Sequence, residues 1–136
     1  LYWDMAFTED EQTAFFTNSR EETISQIDLT TGEILTMYDF AEMDLVGRGT
    51  IDIDAETVVF ITEPEDDLVL HITPVDDLYG GETYNITELV LPIITEMPRN
   101  SPFINAQLSE DGKRLVIVGF VAIDDPSQNF FMIIDR

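Results

Sequence analysis

Carboxylates dominate the chemistry that this sequence could perform. Glu21 and Glu22 stand together, Glu63, Glu65, Asp66 and Asp67 form a second group, and Asp124 and Asp125 form a third. Hard cations such as Ca²⁺ take roughly six to eight oxygen ligands, and carboxylates converging from separate segments can supply several of them. Glu63, Glu65, Asp66, Asp67, Asp124 and Asp125 are therefore the candidate metal ligands, and Ca²⁺ is the candidate cofactor. None of these groups has the Asp-x-Asp-x-Asp-Gly spacing of an EF-hand loop. With 28 acidic residues in the chain, an acidic loop needs no metal to explain it, and solvated carboxylates are the plainer reading.

Other reactive groups are few. His71 is the only histidine, so no multi-histidine metal site exists and no Ser/His/Asp set can be picked out by spacing. It reads as a structural or surface histidine. Cysteine is absent, which removes disulfides, thiolate metal sites and cysteine nucleophiles. Arg48 and Arg99 sit beside glycine and proline in two connecting stretches, where an arginine either bridges carboxylates or binds an anion. Asn85-Ile86-Thr87 fits the N-glycosylation pattern, which has meaning only for a secreted eukaryotic chain.

Composition narrows the partners. The 136 residues carry Asp+Glu 28 against Lys+Arg 6, for a net charge of −22. Generic nucleic-acid binding rests on clustered Lys and Arg, and this chain has Lys113 and five arginines, so no nucleic-acid partner is expected. An anionic membrane surface is disfavoured for the same reason. The longest apolar runs, near Leu89–Ile94 and Leu115–Ile123, are strand-sized and fall short of the roughly 20 residues of a membrane-spanning helix. Yet 44% of residues are hydrophobic, which separates this chain from a disordered acidic tail. Residues 1–68 hold 18 acids and two bases, so most of the negative field lies in the first half. Adaptation to high salt and the ordinary solubility of an acidic exported protein both fit that charge. The start, Leu1-Tyr2-Trp3-Asp4, and the end within a strand-like run read as those of a mature or excised piece.

The elements that would position these groups form a repeat. Phe7–Thr17, Ile51–Ile61 and Leu108–Val118 each run from an apolar residue through a short acidic turn into a β-rich stretch. Asp10, Asp54 and Asp111 hold the same offset, at spacings of 44 and 57 residues. This is the signature of a hairpin. Third strands follow at Thr23–Leu29, Leu68–Thr73 and Phe130–Asp135, and fourth strands at Ile34–Phe40 and Glu82–Leu89. The pattern predicts eleven strands, grouped four, four and three. Thr8-Glu9-Asp10-Glu11 also matches a helix capping box. Phe15, Phe16 and the β-branched runs at the equivalent positions favour strand.

The run from Phe7 to Ser19, followed by Ile24-Ser25-Gln26-Ile27-Asp28-Leu29-Thr30-Thr31-Gly32-Glu33, resembles the repeats of YVTN and TolB-like β-propellers. Leu108-Ser109-Glu110-Asp111-Gly112-Lys113-Arg114-Leu115 is the nearest copy of that repeat's opening, whereas Asp54-Ala55-Glu56 departs from its Asp-Gly-Lys. The resemblance implies an all-β fold of four-stranded antiparallel blades at about 1–40, 48–89 and 101–136, the last incomplete. Rings need roughly four to eight blades to close, so three would leave two apolar faces and an open strand edge. A fragment of a ring of roughly six to eight blades is the first expectation, and a dimer of three-blade halves the second. Trp3, Phe15, Phe60 and Phe130 would pack between blades.

In proteins of this kind, ligands usually meet the loops between second and third strands, here Asn18–Glu22, Glu63–Asp67 and Ala122–Asn129, all acidic. The resemblance carries no catalytic residues with it, because propellers host many unrelated functions. The expected function is a non-catalytic binding or scaffold module of an extracellular, periplasmic or cell-surface protein. Its partners would be a protein, the remaining blades or a second copy. The alternative is part of a propeller hydrolase, lactonase-like or phytase-like, using a carboxylate-held Ca²⁺.

Overall fold

A computed structural model describes residues 4–18, 20–43, 51–53, 56–90, 103–109, 111, 113–120 and 130–136. The expected strands are present. β1 (Met5–Phe7), β2 (Thr13–Asn18), β3 (Thr23–Asp28) and β4 (Ile34–Asp39) form one sheet in that order. β5 (Ile51–Ile53), β6 (Thr57–Thr62), β7 (Val69–Pro74) and β8 (Glu82–Asn85) form a second. β9 (Phe103–Leu108), β10 (Arg114–Phe120) and β11 (Phe130–Asp135) form a third of three strands. Among the described strands every pairing is antiparallel and joins neighbours in sequence.

The repeat is visible in individual hydrogen bonds. The N–H of Leu29, Val75 and Arg136 donates to the carbonyl of Gln12, Glu56 and Lys113 at 2.9, 3.0 and 2.8 Å, at one place in each sheet. The opening turns match as well. The Thr8 hydroxyl donates to Asp10 Oδ1 at 2.7 Å, and that oxygen also accepts the Gln12 N–H at 3.0 Å. Ser109, Asp111 and Lys113 repeat the arrangement at 2.6 and 3.1 Å. Thr8 therefore closes a turn through its hydroxyl instead of capping a helix. Glu11, which aligns in sequence with Gly112, takes a left-handed φ of 55°.

The sheets stack face to face. Their first strands, β1, β5 and β9, lie beside one another. Ala6, Phe15, Ile24, Tyr38 and Phe40 of the first sheet pack against Val58, Phe60 and Leu78 of the second. Val59, Ile61, Leu68, Leu70 and Ile86 of the second pack against Ala106, Leu115 and Ile117 of the third. Because β6 is covered on both sides, it reads as an almost unbroken apolar run, with Val58 and Phe60 facing one neighbour and Val59 and Ile61 the other. Phe15 and Phe60 lie between sheets as expected, whereas Trp3 and the Phe130 side chain lie outside the described residues.

One strand differs from expectation. β8 stops at Asn85, and Thr87–Val90 is a single helical turn, α1, in place of the rest of a strand reaching Leu89. Asn85 Oδ1 accepts the Thr87 N–H at 2.9 Å and starts the turn. The Thr87 hydroxyl accepts the Leu68 N–H at 2.8 Å and donates to Asp67 Oδ1 at 3.0 Å, which pins the turn to the start of β7. The turn between β7 and β8 is fixed by Gly81, at φ 87°. A side chain there would collide with the Ile72 carbonyl and stand 2.8 Å from Thr73 Cα, so only glycine fits.

Candidate functional site

The acidic turn Glu63–Asp67 joins β6 to β7 through a short 3₁₀ turn, Pro64–Asp66, in which Glu65 has a φ of 51°. Glu65 and Asp67 are exposed and Glu63 is half-buried. The Asp67 carboxylate holds Thr87, and the Glu63 N–H donates to the Met43 carbonyl of the first sheet at 3.2 Å. In the equivalent loop of the first sheet, Asn18 Oδ1 accepts the N–H groups of Arg20 and Glu21 at 3.1 and 3.3 Å. Among the described residues, no three Asp, Glu or His side chains converge as metal ligands would. The Asp66 side chain, Asp124 and Asp125 lie outside the described residues, as do Arg48 and Arg99.

His71 is buried where the first two sheets meet. Its ring stacks on Phe60 at 4.5 Å and 8° and meets the edge of Phe40 at 6.1 Å. Nε2 is 2.8 Å from the Thr62 hydroxyl. Burial pushes its pKa down to about 4, since the charged form has lost its water. A neutral imidazole held between two phenylalanines is a packing element, and this matches its reading as structural.

Two exposed aspartates have pKa values held below the ordinary carboxylate range. The Thr8 hydroxyl is the main cause for Asp10 and the Ser109 hydroxyl for Asp111, each helped by a backbone N–H from Gln12 or Lys113. Both carboxylates serve turns. Two polar hollows lie beside these turns, at the opposite ends of the strands from the acidic loops. One of about 840 Å³ includes Ser109, Asp111, Lys113 and Arg114 in its lining, and one of about 580 Å³ includes Thr8, Glu9, Asp10 and Gln26. The Arg114–Asp135 pair at 3.3 Å borders the first, and both side chains are so exposed that water screens most of their attraction.

Asp52 was not singled out in sequence. It lies on β5, the first strand of the middle sheet, and its Oδ2 accepts the Leu108 N–H of β9 at 2.7 Å. It ties two sheets together where their first strands meet. The signal was available: an acid between Ile51 and Ile53 interrupts a strand where an apolar or neutral residue is the norm.

No protein-family model matches the chain, and no curated protein matches it in sequence. Solved structures do match. TolB from Acinetobacter baumannii superposes with a TM-score of 0.58 at 15% identity, over 97% of this chain and 29% of that one. A structure from a mechanistic analysis of two prolyl endopeptidases gives 0.62 at 10% identity, over 97% of this chain and 18% of that one. The hydrazine synthase of Kuenenia stuttgartiensis gives 0.59 at 14% identity, over 96% and 38%. Stacked antiparallel sheets with their first strands side by side are β-propeller blades, and the chain is an all-β propeller segment of about three of them. In particular it is TolB-like in fold. It spans less than two-fifths of each of these structures, and identities this low speak for the fold alone.

Proposed function

We propose that this chain is a run of consecutive blades in a larger propeller, acting as a non-catalytic binding or scaffold module of an exported or surface protein. The observation that carries the reading is the contrast between inner and outer sheet faces. β6 of the middle sheet is buried on both sides, whereas the outer face of the first sheet leaves Met5, Phe7, Ile34 and Met37 about half exposed. The outer face of the third sheet leaves Phe131 71% and Ile133 58% exposed. Flat apolar faces of this kind are covered in a working protein, and further blades or a protein partner fit them. Among the described residues no helix is long and apolar enough to cross a membrane. The acidic loops Asn18–Glu22 and Glu63–Asp67 would present the ligand-facing side, and the location would be extracellular, periplasmic or at the cell surface.

The isolated chain is expected to self-associate at micromolar concentration, and Phe131→Ser with Ile133→Ser is expected to reduce that association at least about tenfold while leaving the β spectrum intact. Sedimentation velocity over a hundredfold concentration range reads this directly. A monomer that binds no hydrophobic dye would count against the proposal.

The alternative, part of a propeller hydrolase holding Ca²⁺, draws on the exposed Glu65 and Asp67 of a single turn. A cation bound only by the folded state stabilises it by about 2.7 kcal/mol at a hundredfold excess over Kd. Our first reading expects equal melting temperatures in Ca²⁺ and in Mg²⁺ at matched ionic strength. A calcium-specific rise, abolished by chelator and by Glu65→Gln, would turn the assignment to the hydrolase.

A further inference from the structure

Half of the chain's six basic residues gather at one end of the third sheet. Lys113, Arg114 and Arg136 line the hollow of about 840 Å³ beside the β9–β10 turn, together with Ser109, Asp111 and Asp135. All three bases are exposed. In a chain of net charge −22, a hollow with three bases against two acids inverts the sign of its surroundings.

The fold does not require these charges. The Lys113 carbonyl accepts the Arg136 N–H as Gln12 accepts that of Leu29 and Glu56 that of Val75. Arg114 pairs with Asp135 as Thr13 pairs with Asp28 and Thr57 with Pro74. At these three places the first sheet therefore carries Gln12, Thr13 and Leu29, and the second carries Glu56, Thr57 and Val75. The same backbone bonds form with neutral or acidic side chains, so the turn does not explain the bases.

The local acids do not explain them either. Asp111 serves its own turn, accepting the Ser109 hydroxyl at 2.6 Å and the Lys113 N–H at 3.1 Å. Arg114 meets Asp135 through Nε at 3.3 Å, with side chains 69% and 83% exposed, so another anion can exchange for this carboxylate. A second carboxylate gains nothing by the exchange. A phosphate monoester does, since it carries about −1.5 to −2 at pH 7 and accepts two guanidinium N–H bonds side by side. The counterpart hollow in the first sheet, about 580 Å³, persists with Val75 of the second sheet in its lining. A sheet stacked on the third would therefore border the site without filling it.

We propose that this hollow binds a phosphate group, with Lys113 and Arg136 flanking it and Arg114 exchanging Asp135 for it. Repulsion from the carboxylates of residues 1–68 is screened over about 8 Å at physiological ionic strength, which leaves the local bases to decide.

The test measures fluorescence anisotropy of a labelled hexapeptide carrying one phosphoserine, on the whole chain at fixed ionic strength, with inorganic phosphate as competitor. The phosphopeptide is expected to bind at least about tenfold more tightly than its unphosphorylated form. Arg114→Thr, which installs the residue of the first two sheets, should weaken binding about fivefold, and adding Lys113→Gln should take the loss beyond about tenfold. Asp135→Asn should tighten binding about threefold by removing the competing carboxylate. Arg20→Thr takes the same charge from an exposed loop of the first sheet and should change binding less than about twofold. Inorganic phosphate competing as tightly as the peptide would assign the site to a free phosphate or small ester. Competition more than about tenfold weaker would assign it to a phosphate borne by a protein partner. Absence of binding by both probes, equal binding of the two peptides, equal losses in Arg20→Thr and Arg114→Thr, or weaker binding in Asp135→Asn would each overturn the proposal.

Discussion

Replacing Phe60 with alanine is expected to lower stability by roughly 3–5 kcal/mol, the range for large aromatic residues removed from a packed core. Phe60 has no exposed surface. Its ring lies 4.9 Å from Phe40 at 61° and is stacked on His71 at 4.5 Å. Phe40 follows β4 of the first sheet and His71 lies on β7 of the second, so one deletion opens the seam between two blades. Aromatic pairs of this kind contribute about 0.5–1.5 kcal/mol beyond their area. The loss is read from urea unfolding midpoints at constant slope. Phe16→Ala, on the half-exposed outer face of the first sheet, is the comparison and should cost far less. A Phe60 effect below about 1 kcal/mol would contradict a continuous core between these sheets.

Acidification provides the second large effect. The unfolded-state pKa of His71 lies near 6.5, and in the fold burial lowers it to about 4. Above pH 6.5 the residue is neutral in both states and its packing is retained in full. As pH falls from 6.5 towards 4, the unfolded chain binds a proton that the folded chain refuses, so stability drops. Below pH 4 the whole penalty is present, roughly 3 kcal/mol for a shift of this size. The same acidification relieves repulsion among the 28 carboxylates and stabilises the fold, so the raw pH profile mixes two opposite slopes. His71→Gln removes one and keeps the other. Between pH 7 and 4.5 the parent chain should lose stability relative to this variant, measured by urea titrations at each pH. Parallel profiles would show that the ring is not buried as described.

The strands were legible because their signals are local. Alternation, turn residues and the recurring Asp10, Asp54 and Asp111 state where the chain extends and where it reverses. The hydroxyl–carboxylate turns at Thr8–Asp10 and Ser109–Asp111 need nothing beyond neighbours a few residues away. α1 was misread as strand because its anchors, Leu68 and Asp67, come from a segment some 20 residues earlier. The candidate ligands were the least legible. An excess of acid makes every loop resemble a cation site, and Asp67 also accepts a hydrogen bond from Thr87.

By itself the sequence determined the eleven strands, their grouping into repeats and the negative field, since all three follow from side-chain type and spacing along the chain, while the helical turn α1 did not. Only the tertiary structure decided which way β6 faces, because a strand apolar on both sides has no alternation to read. It also decided that Tyr38 is covered and Tyr84 open, that His71 is desolvated, and that Asp52 joins two sheets. Each of those depends on contacts between residues far apart in the chain, whose meeting is set by how whole sheets stack.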